Sequence, residues 1–282
     1  MSDRLEVKKT YKLYIGGAFP RSESGRTYEV FGADGAFIAN PSLASRKDLR
    51  DAVVSARGAQ SGWASATAYN RGQILYRIAE MLEGRAEQFA SEITSLDGVT
   101  HEEALREVHA AIDQWVWYAG WSDKLSSIAG STNPVSGPFY NFTIPEPMGV
   151  IGALAPEAKG LLGLVNAIAP IIVSGNTTIV LASTRSPLPA ITFAEVLATS
   201  DLPHGVINIL TGHKSELAPW FASHMDINGL DISGVTEPSA IADIKIAGAD
   251  NLKRIHSFEA SVTPQRILAF MEAKTIWHPI GL

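Results

Sequence analysis

From residue 149 onward the chain alternates short β-branched apolar runs with helix-patterned segments, and this alternation limits the possible folds more than any other feature. The runs GVIGALA (149–155), TTIVLA (177–182), GVINILT (205–211) and INGLDIS (227–233) read as strands. Between them lie a segment running to Ser174, then PLPAITFAEVLATS, then SELAPWFASH, each with apolar residues at helical spacing. A helical or irregular stretch over 236–249 leads to a fifth strand near LKRIHSF, 252–258. Parallel neighbours need a crossover, and a helix is what fills it. The pattern therefore predicts an α/β fold, a doubly wound, Rossmann-like parallel sheet with helices on both faces. Ligands on such sheets sit at the carboxyl ends of the strands, so the informative residues are those just after 155, 181, 211 and 233.

One segment tests that reading. Gly160 to Thr184 carries no charged residue and is long enough to span a bilayer. Asn166, Pro170 and the turn Ser174-Gly175-Asn176 break it, and a sheet covered on both faces calls for apolar runs of this kind. The segment reads as a buried helix followed by a buried strand, with no membrane involved.

Upstream, YKLYIGGAF and GRTYEVF have the alternation of short strands and suggest an antiparallel edge element. SRKDLRDAVVSARGAQSGWA opens with Ser45 and Asp48 at capping-box spacing and continues as a helix. Two longer helices follow, over 68–96 and 101–125, separated by Asp97-Gly98. The second carries Trp115, Trp117, Tyr118 and Trp121 near one side, a packing stripe. Ser126 to Pro138 is a connector rich in Ser, Gly, Asn and Pro, and FYNFTIPEP after it reads as an extended arm.

Composition removes several functions. The 23 basic and 29 acidic side chains give a net charge of -6, and no run of Lys or Arg tracks a phosphate backbone, so nucleic acid is not an expected partner. The chain has no cysteine, which excludes disulfides, thiolate metal sites and a cysteine nucleophile. His204 and His213 flank a strand, and His101 and His109 lie eight apart on a helix; none has a second ligand at metal spacing, so no metal is expected. MSDRLEVKKTYKLYIGG lacks the apolar core of a signal peptide, and the expected compartment is the cytoplasm. No Ser-His-Asp arrangement follows from spacing. TGHKSE keeps Gly212 but is not a glycine-rich phosphate loop; its Lys214 offers a weak attraction for an anion. Glu157 and Lys159, just after the first strand, either bind something polar or form a solvated helix terminus.

YKLYIGGAF, AVVSARGAQSGWASATAYNRGQILYRIAEMLEGRAEQFA, WYAGWSDK, PEPMGVIGALAP, APIIVSGNTTIVLAST, LPHGVINILTG and NLKRI, in that order, resemble the N-terminal half of an aldehyde dehydrogenase. TPQRILAFMEAKTIWHPIGL resembles the C-terminal end of that family, whose last strand pairs with a neighbouring subunit. The resemblance implies a Rossmann-like domain over 1–127 and 148–260 and an oligomerisation arm and tail over 128–147 and 261–282. The catalytic domain that the family places between them, with its cysteine nucleophile, has no counterpart here. In this respect the chain resembles the shortened, cysteine-free second unit of two-unit aldehyde dehydrogenases.

Departures from the family cluster at the strand ends. Pro-Trp-Asn, whose Asn helps hold an oxyanion, is here Pro156-Glu157-Ala158. The ribose-binding Lys is Leu181, Ser183 follows, and Thr184 stands at the acidic position. Lys214 follows Gly212 where a second glycine is frequent, and the turn Phe-Thr-Gly-Ser is Ile232-Ser233-Gly234-Val235. Glu259 falls one residue past the general-base position, with Ala260 and Ser261 replacing two glycines. Two lost donors at about 1.5–3 kcal/mol each weaken a cofactor by about a hundredfold to ten-thousandfold. The mouth formed by Pro156, Ala158, Leu181, Ser183, Thr184, Gly212, Gly234 and Val235 is therefore expected to hold no cofactor, or NAD only weakly. The expected role is a non-catalytic subunit assembling with itself or with a full-length catalytic relative. An NAD-binding regulator, or an oxidoreductase subunit completing a shared site through Glu259, remains the alternative.

Overall fold

The structure is a computed structural model that describes residues 7–281. Its centre is a parallel sheet of β5 (Val150–Leu154), β6 (Thr177–Leu181), β7 (Ile207–Leu210), β8 (Gly229–Asp231) and β9 (Arg254–His256), in the order β7-β6-β5-β8-β9. Successive strands are added on one side of β5 through β6 and β7 and then on its other side through β8 and β9, so the ligand crevice expected of such a sheet lies outside the ends of β5 and β8.

Side chains alternate across the sheet into two separate cores. Ile151, Ala153, Val180, Ala182, Ile207 and Ile209 join the first, and Val150, Leu154, Ile179, Leu181 and Leu210 the second. The first core is covered by α2 (Ala68–Glu83), α3 (Ala86–Asp97), α4 (His101–Ala119), α6 (Gly160–Val173) and α7 (Leu188–Leu197). The second is covered by α1 (Arg46–Ser65), α8 (Lys214–Ser223) and α9 (Pro238–Ala249). The charge-free segment is explained by this layering: α6 is buried along nearly its whole length and β6 throughout. Among the described residues no helix is long and apolar enough to cross a membrane.

α1 begins with the expected capping box, Ser45 accepting from the Asp48 amide and Asp48 from the Ser45 amide. Two helix boundaries differ from the sequence reading. The helix expected over 68–96 is two helices broken at Gly84-Arg85. Leu82 and Phe89 are both buried and seven positions apart, so the apolar phase passes through the break undisturbed and periodicity does not register it. The helix expected over 101–125 stops at Ala119. A turn through Gly120 leads to the short α5 (Leu125–Ala129), with Ser122 Oγ donating to the Ala119 carbonyl at 3.0 Å.

The edge element is present. β1 (Val30–Phe31) and β2 (Phe37–Ala39) pair antiparallel. Tyr14 pairs with Ile209 through two backbone bonds of 2.9 and 2.8 Å, adding the N-terminal segment to the β7 edge. The turn behind it needs glycine: Gly17 has φ 78°, and a Cβ there would lie 2.4 Å from the His204 ring. A second sheet has the order β10 (Met271–Pro279), β4 (Phe139–Pro147), β3 (Ser131–Asn133). The tail strand thus pairs with the arm of its own chain along nine residues, Met271 opposite Pro147 through Pro279 opposite Phe139.

Candidate functional site

The loops at the ends of β5, β6 and β7 meet on Glu157. Its carboxylate accepts from Ser183 Oγ at 2.9 Å, from the Thr184 amide at 2.8 Å and from the Arg185 amide at 3.1 Å, and it forms an ion pair with Lys214 from the start of α8. Glu157 is 42% exposed and Lys214 14%. Burial pushes the Glu157 carboxyl up, but Lys214 and the amides outweigh it and hold the group below its ordinary value. Burial lowers the Lys214 ammonium despite the carboxylate beside it. Thr184 Oγ1 donates to the Gly212 carbonyl at 2.8 Å, tying the β6 and β7 ends together, and Ser183 Oγ accepts from the Ser186 amide at 2.9 Å ahead of α7.

Of the residues named from sequence, Ser183, Thr184 and Gly212 are joined here. Leu181 is not in the mouth; it is fully buried in the second core, where an ammonium would have no partner. Pro156 rests near Gly163, while Ala158 is exposed on a cleft shared with α4. Gly234 is pressed onto the end of β5: its amide donates to the Leu154 carbonyl at 2.9 Å, and a Cβ would lie 2.1 Å from the Ala155 oxygen. Val235 packs against the second core. Glu259 stands apart from all of these, exposed on the loop after β9.

Glu157 and Lys159 do not share one helix terminus. Glu157 is turned back onto the loop after β6. Lys159 is exposed at φ 54°, and the first free amides of α6, Leu161 and Leu162, donate instead to Glu107 of α4 at 3.2 Å each. Burial raises the Glu107 carboxyl.

A second ion pair lies at the end of β8. Asp231 and Arg266, 2% and 4% exposed, meet at 3.2 Å. Arg266 comes from α10 (Pro264–Leu268), the segment that leads into the tail, and its guanidinium lies 4.9 Å from the Phe258 ring centre. Asp231 also accepts from the Ser233 amide at 2.9 Å and from the Ser233 hydroxyl. Burial raises the Asp231 carboxyl, and Arg266 offsets this only in part. His256, level with Asp231 on the next strand, stacks on Phe258, and its Nε2 has no hydrogen-bond partner. Ser233, Asp231 and His256 therefore do not form a nucleophilic relay.

Sequence reasoning missed Asp231, Arg266 and Glu107. A signal was available for the first two: a single acid closes the strand INGLDIS, and a single Arg interrupts the apolar turn of TPQRILAF. Nothing in spacing shows that the two meet. Among the described residues no cluster of acids and histidines could hold a metal ion.

The aldehyde dehydrogenase family model matches residues 19–264. Cytosolic 10-formyltetrahydrofolate dehydrogenase of Pongo abelii is 33% identical over 262 residues, 90% of this chain and 28% of that protein. Human retinal dehydrogenase 2 is 33% identical over 271 residues, 94% of this chain and 51% of the relative. Among solved structures, the NAD+ complex of a Bacillus cereus aldehyde dehydrogenase superposes with a TM-score of 0.82 at 26% identity, over 88% of this chain and 50% of that one. An aldehyde dehydrogenase of Brucella melitensis gives 0.82 at 27% identity, over 87% and 50%. The chain thus spans about half, or less, of the relatives it matches. With a family model covering most of its length and a doubly wound sheet shared with these enzymes, the chain belongs to the aldehyde dehydrogenase family.

Proposed function

We propose that this chain is a non-catalytic aldehyde dehydrogenase-like subunit that assembles with itself or with a full-length, NAD-dependent relative. The observation that carries the reading is Glu157, whose carboxylate spans the β5, β6 and β7 ends and neutralises Lys214. A dinucleotide brings its own negative charge and needs donors that are free. Here Leu181 is buried, the amides of Thr184 and Arg185 are engaged, and the turn at Gly234 rests on β5. These residues do not fit the ribose and diphosphate of NAD. A sequence without cysteine supplies no thiolate to attack an aldehyde. Retention of the arm and of the β10 strand supports assembly, since strand edges are sites where other chains add.

The test has three arms: calorimetric titration with NAD at millimolar concentration, aldehyde oxidation by the isolated chain, and size measurement alone and with a co-expressed catalytic relative. No heat, no turnover and a dimeric or mixed species are expected. Submillimolar NAD binding would favour the regulator instead, because relatives of this fold are found as NAD+ complexes. Turnover abolished by Glu259→Gln would favour a shared-site enzyme. A monomer that also ignores the relative would end the subunit reading.

A further inference from the structure

Three stretches near the N-terminus, 8–11, 21–27 and 37–42, contribute to a cleft of about 430 Å3 whose lining departs in charge from the rest of the chain. It holds Lys8, Lys9, Arg21 and Arg26 and no acidic side chain, in a chain whose net charge is -6. Backbone bonds fix its shape. The Ser42 amide donates to the Tyr11 carbonyl at 3.0 Å and the Leu43 amide to the Arg26 carbonyl at 2.9 Å. The Gly25 amide donates to the Ser22 carbonyl at 2.9 Å, closing a turn between the two arginines, and Gly25 takes the left-handed backbone, φ 68°, that glycine adopts without strain. The four cations differ in what faces them. Lys9 pairs with Glu195 at 2.8 Å and Arg26 with Glu216 at 3.2 Å. Among the described residues Lys8 and Arg21 form no ion pair. Lys8 Nζ donates to the Phe37 carbonyl at 3.2 Å and lies 5.0 Å from the Phe37 ring centre, and Lys9 Nζ lies 4.9 Å from that of Tyr11. Aromatic faces thus hold both ammoniums in place.

We propose that this cleft binds a small organic phosphate, with Lys8 and Arg21 on the phosphate oxygens, Arg26 alongside, and the carbon body resting on Phe37 and Ile38. A concave wall carrying one sign of charge focuses its field on an approaching anion. An arginine fork meets two phosphate oxygens at once, which favours phosphate over a lone point charge. Phe37 is exposed and Ile38 half-buried, so the wall also offers apolar surface to a ligand that carries some. The volume lies within the range of about 300–1,000 Å3 usual for small-molecule sites. No residue of the Glu157 mouth lines this cleft, so the inference stands whether or not that mouth is closed.

The experiment titrates phenyl phosphate calorimetrically into the native chain and into Lys8→Ala combined with Arg21→Ala, with phthalate as a doubly charged aromatic carboxylate for comparison. Saturable one-to-one binding of phenyl phosphate is expected, at least about tenfold weaker in the double variant, and tighter than that of phthalate. Absence of saturable binding to the native chain, or an affinity unchanged in the double variant, overturns the proposal. Phthalate binding as tightly as phenyl phosphate overturns the choice of phosphate. If the alanine variant does not fold, Lys8→Gln combined with Arg21→Gln replaces it, keeping the side-chain bulk and removing the charge, and an unchanged affinity there is equally decisive.

Discussion

Two ion pairs close the carboxyl ends of the parallel strands, and they do so under opposite conditions. Glu157 and Lys214 sit partly in water, with the carboxylate cradled by backbone amides. Asp231 and Arg266 are sealed from it. A buried pair is weak evidence for stability as a whole, yet losing one partner strands a charge in an apolar interior. A part-exposed carboxylate can leave and be hydrated. The comparison separates a lasting seam, which joins the tail segment to β8, from a contact that can exchange.

The largest expected effect comes from Arg266→Ala, which leaves Asp231 unpaired and should cost about 3–5 kcal/mol in urea denaturation. The apolar double replacement Asp231→Ala, Arg266→Met should recover most of that loss. If the single variant costs no more than a surface substitution, the seam is not a seam. Between the two pairs lies Gly234, where a Cβ would press on the Ala155 carbonyl. Gly234→Ala should cost about 1–3 kcal/mol, measured in the same way.

A smaller effect, of about 1 kcal/mol, is expected for Glu157→Gln at neutral pH, because water replaces part of what is lost. Its pH dependence sharpens the contrast. The folded-state pKa of Glu157 is below the ordinary 4.5, so its contribution is complete above that pH and is lost as pH falls through the lower folded value. Asp231 has the opposite sign. Its raised pKa means that acidification from that value down toward 3.8 favours the folded state. Thermal melts of native chain and Glu157→Gln between pH 3 and 6 should converge toward the acid end; parallel curves would remove Glu157 from the account. The smallest effect, below about 0.5 kcal/mol, is expected for Lys274→Ala, whose exposed pair with Glu146 joins β10 to β4 at 2.9 Å.

The alternating runs from 149 onward specified the parallel sheet, because strand and crossover lengths leave few other topologies, and the Ser45 capping box located α1 to the residue. Local signals failed where they were silent about direction. The Gly84-Arg85 break was hidden because Leu82 and Phe89 keep one phase across it. At the site, the substitutions at 158 and 181 were legible as missing donors and that at 184 as a missing acid. That Glu157 would fill the gap was not, since its partners lie 26 to 57 positions away and only the folded sheet end brings them together. Asp231 and Arg266, 35 positions apart, were unreadable for the same reason.

The N-terminal segment carries a timing consequence. Gly16 donates its amide to the Asn208 side chain across 192 positions, beside the bridge from Tyr14 to Ile209. At about 5–20 residues per second of synthesis, this segment waits roughly 10–40 s for its docking edge to leave the ribosome. Nascent chains arrested before β7 should therefore expose this segment to protease, and chains arrested well past it should protect it. A newborn molecule passes that interval with Tyr14 to Gly16 unclaimed and available to chaperones, so this seam closes only after the sheet it borders has been made.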